Sequence, residues 1–197
     1  MSDRHHVFLQ KAALCGVFAC FAAITGLLEG LCGIDAFFPV PGVKLGLANL
    51  FVMAAFALYG VRVAFSVSLV RLALVFLFSG NLTSLLLSLA GGTLALLGQC
   101  AFMPFYGKRC TFIGVSAVSS ACHGFGQLVM AYFLVRTPIF WYLPFLVGLS
   151  VVCGCIVGAL LDRLLALLPQ EVQRRSRYAP VFARPAPARA PEERKND

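Results

Sequence analysis

Charged side chains are scarce in this sequence, and acidic ones are the scarcest. Charged residues make up 12% of the 197 positions, with 8 acidic against 16 basic residues, whereas about 25% is usual in soluble domains. With 60% hydrophobic residues and a mean hydropathy of +0.88, this excludes an ordinary soluble domain and favours a membrane protein. The net charge of +8 therefore indicates membrane topology, and no nucleic-acid partner is predicted.

Motifs that hold metals, phosphates or nucleophiles are also missing. The cysteines show no C-x-x-C spacing and mostly fall in apolar stretches, which favours small apolar filler over metal or disulfide roles. The pattern G-x-x-x-x-G-K-[ST] is absent, so ATP hydrolysis by the P-loop route is excluded. No aspartate lies beside another, as magnesium-binding pairs in a prenyl-transferring synthase would. We therefore expect no enzyme, no catalytic residue, no metal site and no cofactor.

Long apolar runs are what the chain does have. At about 20 residues per span, its length allows about six helices, short loops and a tail. Pro, Gly and polar residues divide the runs, which predicts helices over residues 11–31, 43–59, 61–78, 82–102, 112–135 and 139–161. The predicted fold class is all-α, a polytopic membrane bundle of about six transmembrane helices.

The chain is expected to have three regions. These are a cytoplasmic N-terminal segment 1–10, a six-helix transmembrane domain 11–165, and a disordered, basic, Pro/Ala/Arg-rich cytoplasmic tail 166–197. A cleaved signal peptide is the alternative for the first run, but further spans follow it directly, so the first helix is expected to be retained. The tail is interpreted as a solvated topology determinant that contacts anionic lipid, with partner docking as the alternative.

Basic residues indicate the orientation. If the N-terminus is cytoplasmic, that side collects Arg62, Arg163 and the arginines of the tail, while the opposite side keeps only Lys44 and Arg136. The excess of basic residues then lies inside, as is typical of membrane proteins. Both termini are therefore predicted to be cytoplasmic.

A stripe of polar residues runs along the predicted fifth helix. Ser116, Ser120, His123 and Gln127 fall within roughly 60° of arc, with Ser119 at the edge. Such a stripe avoids lipid, because unpaired polar groups in hydrocarbon are costly, and faces other helices or a water-filled cavity. A hydrogen bond between helices is the alternative role for His123.

Arg71 lies near the middle of the predicted third helix. A charge at that depth costs at least about 3 kcal/mol on insertion scales and indicates a functional site. The alternative is a structural cation tied to backbone carbonyls or to an acidic partner. No acidic residue is predicted at the same depth, which favours anion binding by Arg71.

The second predicted helix opens with P-G-V-K-L-G-L-A-N. A helix start after a Pro-Gly turn attracts anions, and Lys44 adds a full charge; snorkelling of Lys44 to the interface is the alternative. Asn49 lies about 140° from Lys44 on a regular helix, so both line one cavity only if the first turn is irregular or the lysine bends over. Glu29 is expected beside Lys44 at the outer mouth.

Several blocks together resemble a known family. They are E-G at Glu29, P-V-P-G-V-K-L-G-L-A-N-L, S-L-V-R ending at Arg71, S-L-A-G-G, I-G-V-S, and A-C-H-G-F-G-Q ending at Gln127. These are similar to bacterial membrane proteins called heptaprenyl diphosphate synthase component I, or the Gx transporter family. Cys122 and Gly124 depart from the alanine and asparagine expected beside His123, which leaves the His and Gln in place.

This resemblance implies two different functions. The family name implies a non-catalytic partner of a soluble prenyl synthase subunit that makes the menaquinone side chain. The bundle instead resembles substrate-binding (S) components of energy-coupling factor transporters, which depend on separate ATPase and coupling subunits. On that likeness, the small residues around Ala19 and Ala23 would be the docking surface. Either function implies a bacterial inner membrane.

The first hypothesis is therefore a transport subunit that takes up a small anionic or amphipathic molecule. Its substrate-binding residues would be Arg71, His123, Gln127 and Asn49, with Ser116 and Ser120 on the same stripe and Lys44 and Glu29 at the outer mouth. The second hypothesis is the accessory synthase component. Membrane lipid is an expected partner in both.

Overall fold

The computed structural model describes residues 2–33, 44, 46–106, 110–136 and 139–167, and over these residues the protein is built of α-helices joined by short turns and 3-10 segments. The predicted tail beyond residue 167 and the Pro-containing connection of residues 37–42 lie outside the described residues. Six α-helices follow in chain order: α1 Ser2–Leu31, α2 Asn49–Tyr59, α3 Val61–Ser79, α4 Leu82–Phe102, α5 Phe112–Val135 and α6 Leu143–Leu167.

Five of the described helices are long and apolar enough to cross a membrane. The stretches are Ala12–Leu31, Val61–Ser79, Leu82–Phe105, Phe112–Val135 and Leu143–Leu167. Large apolar side chains such as Phe21, Leu77 and Phe133 are exposed on the outside of the bundle, as lipid-facing residues are. The all-helical membrane bundle expected from the sequence is confirmed.

The second predicted span differs from the expectation. Instead of a helix over residues 43–59, α2 begins only at Asn49 and has 11 residues, so it is roughly 16 Å long where about 30 Å would be needed to cross the hydrocarbon core. Leu47 and Ala48 form a turn before it, and Gly46 has a φ of 87°, which an L side chain rarely adopts. The glycine therefore ends the regular backbone that a full span would require.

This short helix lies at the centre of the bundle. Its residues from Val52 to Leu58 are all buried, and it packs against α1, α3 and α6. Gly60 joins it directly to α3 with a φ of 89°. With neighbours on every side, α2 needs no polar face, which explains why its sequence is apolar all round.

Close contacts of α5 with α4 and α6 complete the bundle. A Cβ at Gly126 would lie 2.8 Å from the carbonyl oxygen of Ala90, and one at Gly158 would lie 2.5 Å from the Cα of Ile113. Both glycines thus let backbones approach more closely than any side chain would permit.

Two apolar clusters form the core at opposite ends of the bundle. The larger one joins α2 to the start of α5, including Phe112, and to the end of α6, including Leu161. The smaller one contains Leu87, Leu128 and Leu146. On α5 the buried polar residues from Ser116 to Gln127 lie between the residues that belong to the two clusters.

Candidate functional site

A small cavity with charged residues in its lining lies among α1, α3, α4, α5 and the turn that precedes α2. Its lining consists of Gly26, Glu29, Lys44, Gly46, Ala48, Arg71, Leu72, Val75, Ser88 and His123. Its volume is about 20 Å³, and space of about 10–15 Å³ is enough for one water molecule. The cavity is therefore large enough for a water but closed to anything much larger.

Arg71 supplies the positive charge at the middle of the bundle. It is 5% exposed, although it is a charged side chain within a helix long enough to span the membrane. A Cβ at Gly92 of α4 would lie 3.5 Å from its Nη2, an ordinary contact. The carboxylate of Glu29, which lines the same cavity, interacts electrostatically with the guanidinium. A guanidinium has five N–H donors, so it can also bind a ligand or water in the cavity.

The imidazole of His123 is held between two glycines. A Cβ at Gly46 would lie 3.1 Å from its Cδ2, and a Cβ at Gly91 of α4 would lie 2.9 Å from its Cε1 and Nδ1. The side chain is 3% exposed, and Nδ1 has no hydrogen-bond partner within the described ranges. A buried polar atom in this state calls for a ligand or a water.

Gln127 fixes the other nitrogen of this ring. The amide of Gln127 is oriented so that both its nitrogen and its oxygen form hydrogen bonds. Its Nε2 donates to the carbonyl oxygen of Lys44 at 2.9 Å. Its Oε1 accepts from Nε2 of His123 and from the N–H of Lys44, both at 3.2 Å. Gln127 does not line the cavity itself. It orients His123 and holds the chain segment before α2 against α5.

Glu29 holds the same segment from the opposite side. Its Oε1 accepts a hydrogen bond from the N–H of Gly46 at 2.7 Å, and the carboxylate is buried. Lys44 is half-buried, and its Cε lies 4.0 Å from the position that a Cβ at Gly30 would take. The prediction that Glu29 and Lys44 lie together agrees with this arrangement, which closes the cavity towards the C-terminal end of α1.

Asn49 does not line this cavity, although it is buried. Its Nδ2 donates to Oγ of Ser119 at 2.9 Å, the Nε2 of Gln99 donates to the same oxygen at 3.0 Å, and Ser119 donates to the carbonyl oxygen of Ala95 at 3.1 Å. The turn before α2 is irregular, which is the condition under which Asn49 and Lys44 could have lined one cavity. Asn49 nevertheless bonds to Ser119, in a hydrogen-bond network that joins α2, α4 and α5.

Neither Ser116 nor Ser120 lines the cavity, and the side chain of Ser120 faces α6. A Cβ at Gly154 would lie 2.7 Å from Oγ of Ser120 and 2.8 Å from the carbonyl oxygen of Ser116. Both serines are buried, and Oγ of Ser116 has no hydrogen-bond partner among the residues described. The polar stripe of α5 is thus divided between the cavity, the Ser119 network and the contact with α6.

Three further lining residues, Ser88, Gly26 and Gly46, were not named as site residues from the sequence. Ser88 lies on α4 one turn before Gly92, while Gly26 and Gly46 contribute only backbone and space. Gly46 stands inside the P-G-V-K-L-G-L-A-N block, where a glycine two residues after Lys44 is a sign of a broken first turn. Ser88 lies four residues before Gly92, which is the spacing of one helix face.

The small-residue face of α1 is already occupied within the chain. Ala19 and Ala23 are buried, and α1 packs chiefly on α3 and α2. The expectation that this face docks a coupling subunit is therefore wrong for these two positions, because neighbouring helices cover them.

A second, larger depression lies on the outside of the bundle. It measures about 660 Å³ and is lined by apolar residues of α4, α5 and α6, including Leu94, Phe125 and Val147. Such a depression is what lipid tails fill, and it contains none of the predicted site residues. In the described parts of the chain, no three His, Cys, Asp or Glu residues are grouped as metal ligands would be.

The fold and the site define a multi-pass α-helical membrane protein with a small cavity lined partly by charged residues. The family model for heptaprenyl diphosphate synthase component I matches residues 18–164, so the chain belongs to that family. No curated protein and no solved structure matches the chain. The likeness to energy-coupling factor S components stays a prediction.

Proposed function

We propose that this protein binds a small anionic molecule in the cavity beside Arg71 and carries it across the membrane. The observation that carries the proposal is the guanidinium of Arg71, which is buried within a membrane-spanning helix and lines the cavity. Burying a cation in a membrane is costly, and charged groups at such positions commonly belong to binding sites.

The start of α2 supports the same ligand class. A helix that begins inside the membrane directs the positive end of its dipole, and backbone N–H groups, towards whatever lies before it. Ala48, the residue before α2, lines the cavity. Interrupted helices of this kind bind anionic groups of substrates in transporters.

The cavity as observed represents a closed state in this proposal. Its volume of about 20 Å³ is too small for an organic substrate. Entry then requires the segment from Lys44 to Ala48 to move, which breaks the hydrogen bond from Gly46 to Glu29 and those from Lys44 to Gln127. Both contacts are local, so such a movement does not disturb the two apolar clusters.

Orientation and energy supply belong to the proposal as well. With both termini in the cytoplasm of a bacterial inner membrane, α2 and the segment before it must together cross once, because the five long helices alone would leave the termini on opposite sides. The C-terminal end of α1 then faces outwards, and the cavity lies closer to that side. Uptake from outside then needs an energising partner, for which ATPase and coupling subunits are the proposed source.

The test is to compare small molecules retained by purified proteins. Wild type, Arg71→Ala and Arg62→Ala are purified in nanodiscs, and their bound anions are released and identified by mass spectrometry. We expect an anion that is enriched with wild type and with Arg62→Ala, whose arginine is exposed at the start of the same helix, and lost from Arg71→Ala. Equal retention by Arg71→Ala would contradict the proposal.

The second candidate function follows from the name of the family to which the chain belongs. As a component I of heptaprenyl diphosphate synthase, the protein would assemble with a synthase subunit. Co-purification from native membranes discriminates the two functions. A soluble prenyl synthase subunit supports the accessory function, whereas ATPase and coupling subunits support transport.

A further inference from the structure

We propose that one ordered water molecule occupies the cavity, donates a hydrogen bond to Nδ1 of His123 and accepts one from the guanidinium of Arg71. The proposal rests on the size of the cavity and on the hydrogen-bonding state of the imidazole. It goes beyond the proposed function, because it holds whether or not the protein transports an anion.

The cavity meets the two conditions for a buried water. Its volume is about 20 Å³, whereas one water needs about 10–15 Å³ and about two to four polar partners. Four polar side chains from α1, α3, α4 and α5 belong to the lining, namely Glu29, Arg71, Ser88 and His123. The space therefore suits a single water molecule.

His123 supplies the specific reason for a water donor. Its Nε2 donates to Oε1 of Gln127 at 3.2 Å, and in a neutral imidazole the other nitrogen is then an acceptor. That acceptor, Nδ1, is buried and has no hydrogen-bond partner among the residues that the structure describes. A buried acceptor without a donor is costly, and water is a donor that fits the cavity.

Arg71 lies where the same water can reach it. The positions that a Cβ would take at Gly91 and Gly92 are 2.9 Å from Nδ1 of His123 and 3.5 Å from Nη2 of Arg71, respectively. The two groups thus lie beside adjacent residues of α4, and both line the cavity. Because a guanidinium only donates, it can bond to the oxygen of a water whose proton points at Nδ1.

The water extends an existing set of hydrogen bonds. His123 donates to Gln127, and Gln127 bonds to both backbone groups of Lys44. With the water in place, Arg71 of α3 is connected through α5 to the segment before α2. The water therefore fixes the orientation of the imidazole on which this connection depends.

Nuclear magnetic resonance of histidine nitrogens tests the proposal directly. The chain has three histidines, so His5→Gln combined with His6→Gln leaves His123 as the only one. In ¹⁵N-labelled full-length protein in phosphatidylcholine nanodiscs, we expect a protonated Nε2, an unprotonated Nδ1 and magnetisation transfer from water to Nδ1. The side-chain amide of Asn49, which donates to Ser119 at 2.9 Å, is the control and should show no such transfer. A protonated Nδ1, or no transfer from water, would overturn the proposal.

X-ray footprinting provides a second measurement, because hydroxyl radicals formed from a bound water oxidise the side chains beside it. Leu72 lines the cavity and is 6% exposed, whereas Leu58 of α2 is 7% exposed and lies in the larger apolar cluster. We expect faster oxidation of Leu72 than of Leu58, although their exposure is nearly equal. Equal rates would contradict a bound water.

Gly26→Ala tests whether the water lies in this cavity. A Cβ at Gly26 would meet Cγ2 of Val75 at 3.6 Å and Cβ of Ala48 at 3.8 Å, so the methyl group fits without a clash and takes up space between lining residues. Oxidation of Leu72 and transfer from water to Nδ1 should both be lost. Gly16→Ala, on the same helix with nothing within 4 Å of its Cβ, should leave both unchanged. Both signals persisting in Gly26→Ala would overturn the assignment, and if that variant does not fold, the measurement on His123 alone decides.

Discussion

Gly91 of α4 has no side chain at the point where the imidazole of His123 crosses from α5. A Cβ there would lie 2.9 Å from Cε1 and Nδ1 of the ring and equally close to Cγ of Gln127. The next residue, Gly92, differs, because a Cβ would meet Nη2 of Arg71 at 3.5 Å. The two adjacent glycines thus differ: a Cβ at Gly91 would overlap the imidazole, whereas one at Gly92 would make an ordinary contact with Arg71.

This difference predicts opposite effects of the same substitution. Gly91→Ala should lower the free energy of unfolding by about 1–3 kcal/mol, because the ring must shift in a packed interior. It should also weaken retention of a bound anion. Thermal unfolding in nanodiscs and mass spectrometry of released anions measure the two effects.

Gly92→Ala is the matched control. It replaces glycine in a helix interior and should be neutral or stabilising by up to about 1 kcal/mol. Anion retention should equal that of wild type. Equal destabilisation by both variants would show that Gly91 has no special relation to His123.

Ser119 is expected to stabilise the contact between α2, α4 and α5. Its Oγ accepts from Asn49 and Gln99 and donates to Ala95. Ser119→Ala should therefore lower the free energy of unfolding by about 1–3 kcal/mol, because two buried amide groups lose their acceptor. Unfolding by denaturant in mild detergent measures the loss.

Ser116→Ala provides the comparison for Ser119→Ala. Ser116 lies on the same helix and is fully buried, but its Oγ has no hydrogen-bond partner in the described part of the protein. Ser116→Ala should therefore change the free energy of unfolding by less than about 1 kcal/mol. A larger loss for Ser116 than for Ser119 would contradict the assigned network.

Gln127 is expected to hold the segment before α2 against α5. Gln127→Leu removes the hydrogen bonds to both backbone groups of Lys44, so amide exchange at Lys44 and Gly46 should become faster. Hydrogen exchange with mass spectrometry measures this rate on peptides that cover the segment.

Gln99→Leu is the control for this change. Gln99 is equally buried, but it bonds to Ser119 and not to the segment. Exchange at Lys44 should then match wild type. Faster exchange in both variants would indicate general loosening of the bundle rather than release of a specific contact.

The sequence predicted those parts of the site that depend on charge and polarity. Arg71 and His123 were placed together because polar groups in a span must turn inwards, and both line the cavity. Glu29 and Lys44 were expected at the outer mouth of the cavity, and both belong to its lining. The resemblance in these blocks also predicted the family that matches most of the chain.

What the sequence reasoning missed depends on backbone and space. Asn49 was expected in the cavity, but the turn at Gly46 changes the direction of the chain, and the amide reaches Ser119 instead. Gly91 has no polar side chain that would mark it as a site residue in the sequence. It contributes space for the imidazole of His123, because it has no Cβ. Periodicity assumes regular helices, so it fails where a glycine interrupts one.

Cysteines on opposite sides of the bundle give a direct test of orientation. Cys32 is exposed just after α1, and Cys110 lies in the connection between α4 and α5, on the opposite side of the bundle. With a cytoplasmic N-terminus, a membrane-impermeant maleimide should label Cys32 in intact cells and Cys110 only after lysis. Cys32→Ala should abolish labelling of intact cells, because Cys20 and Cys122 lie within spans. Labelling of Cys110 but not Cys32 in intact cells would reverse the orientation and turn the proposed uptake into export.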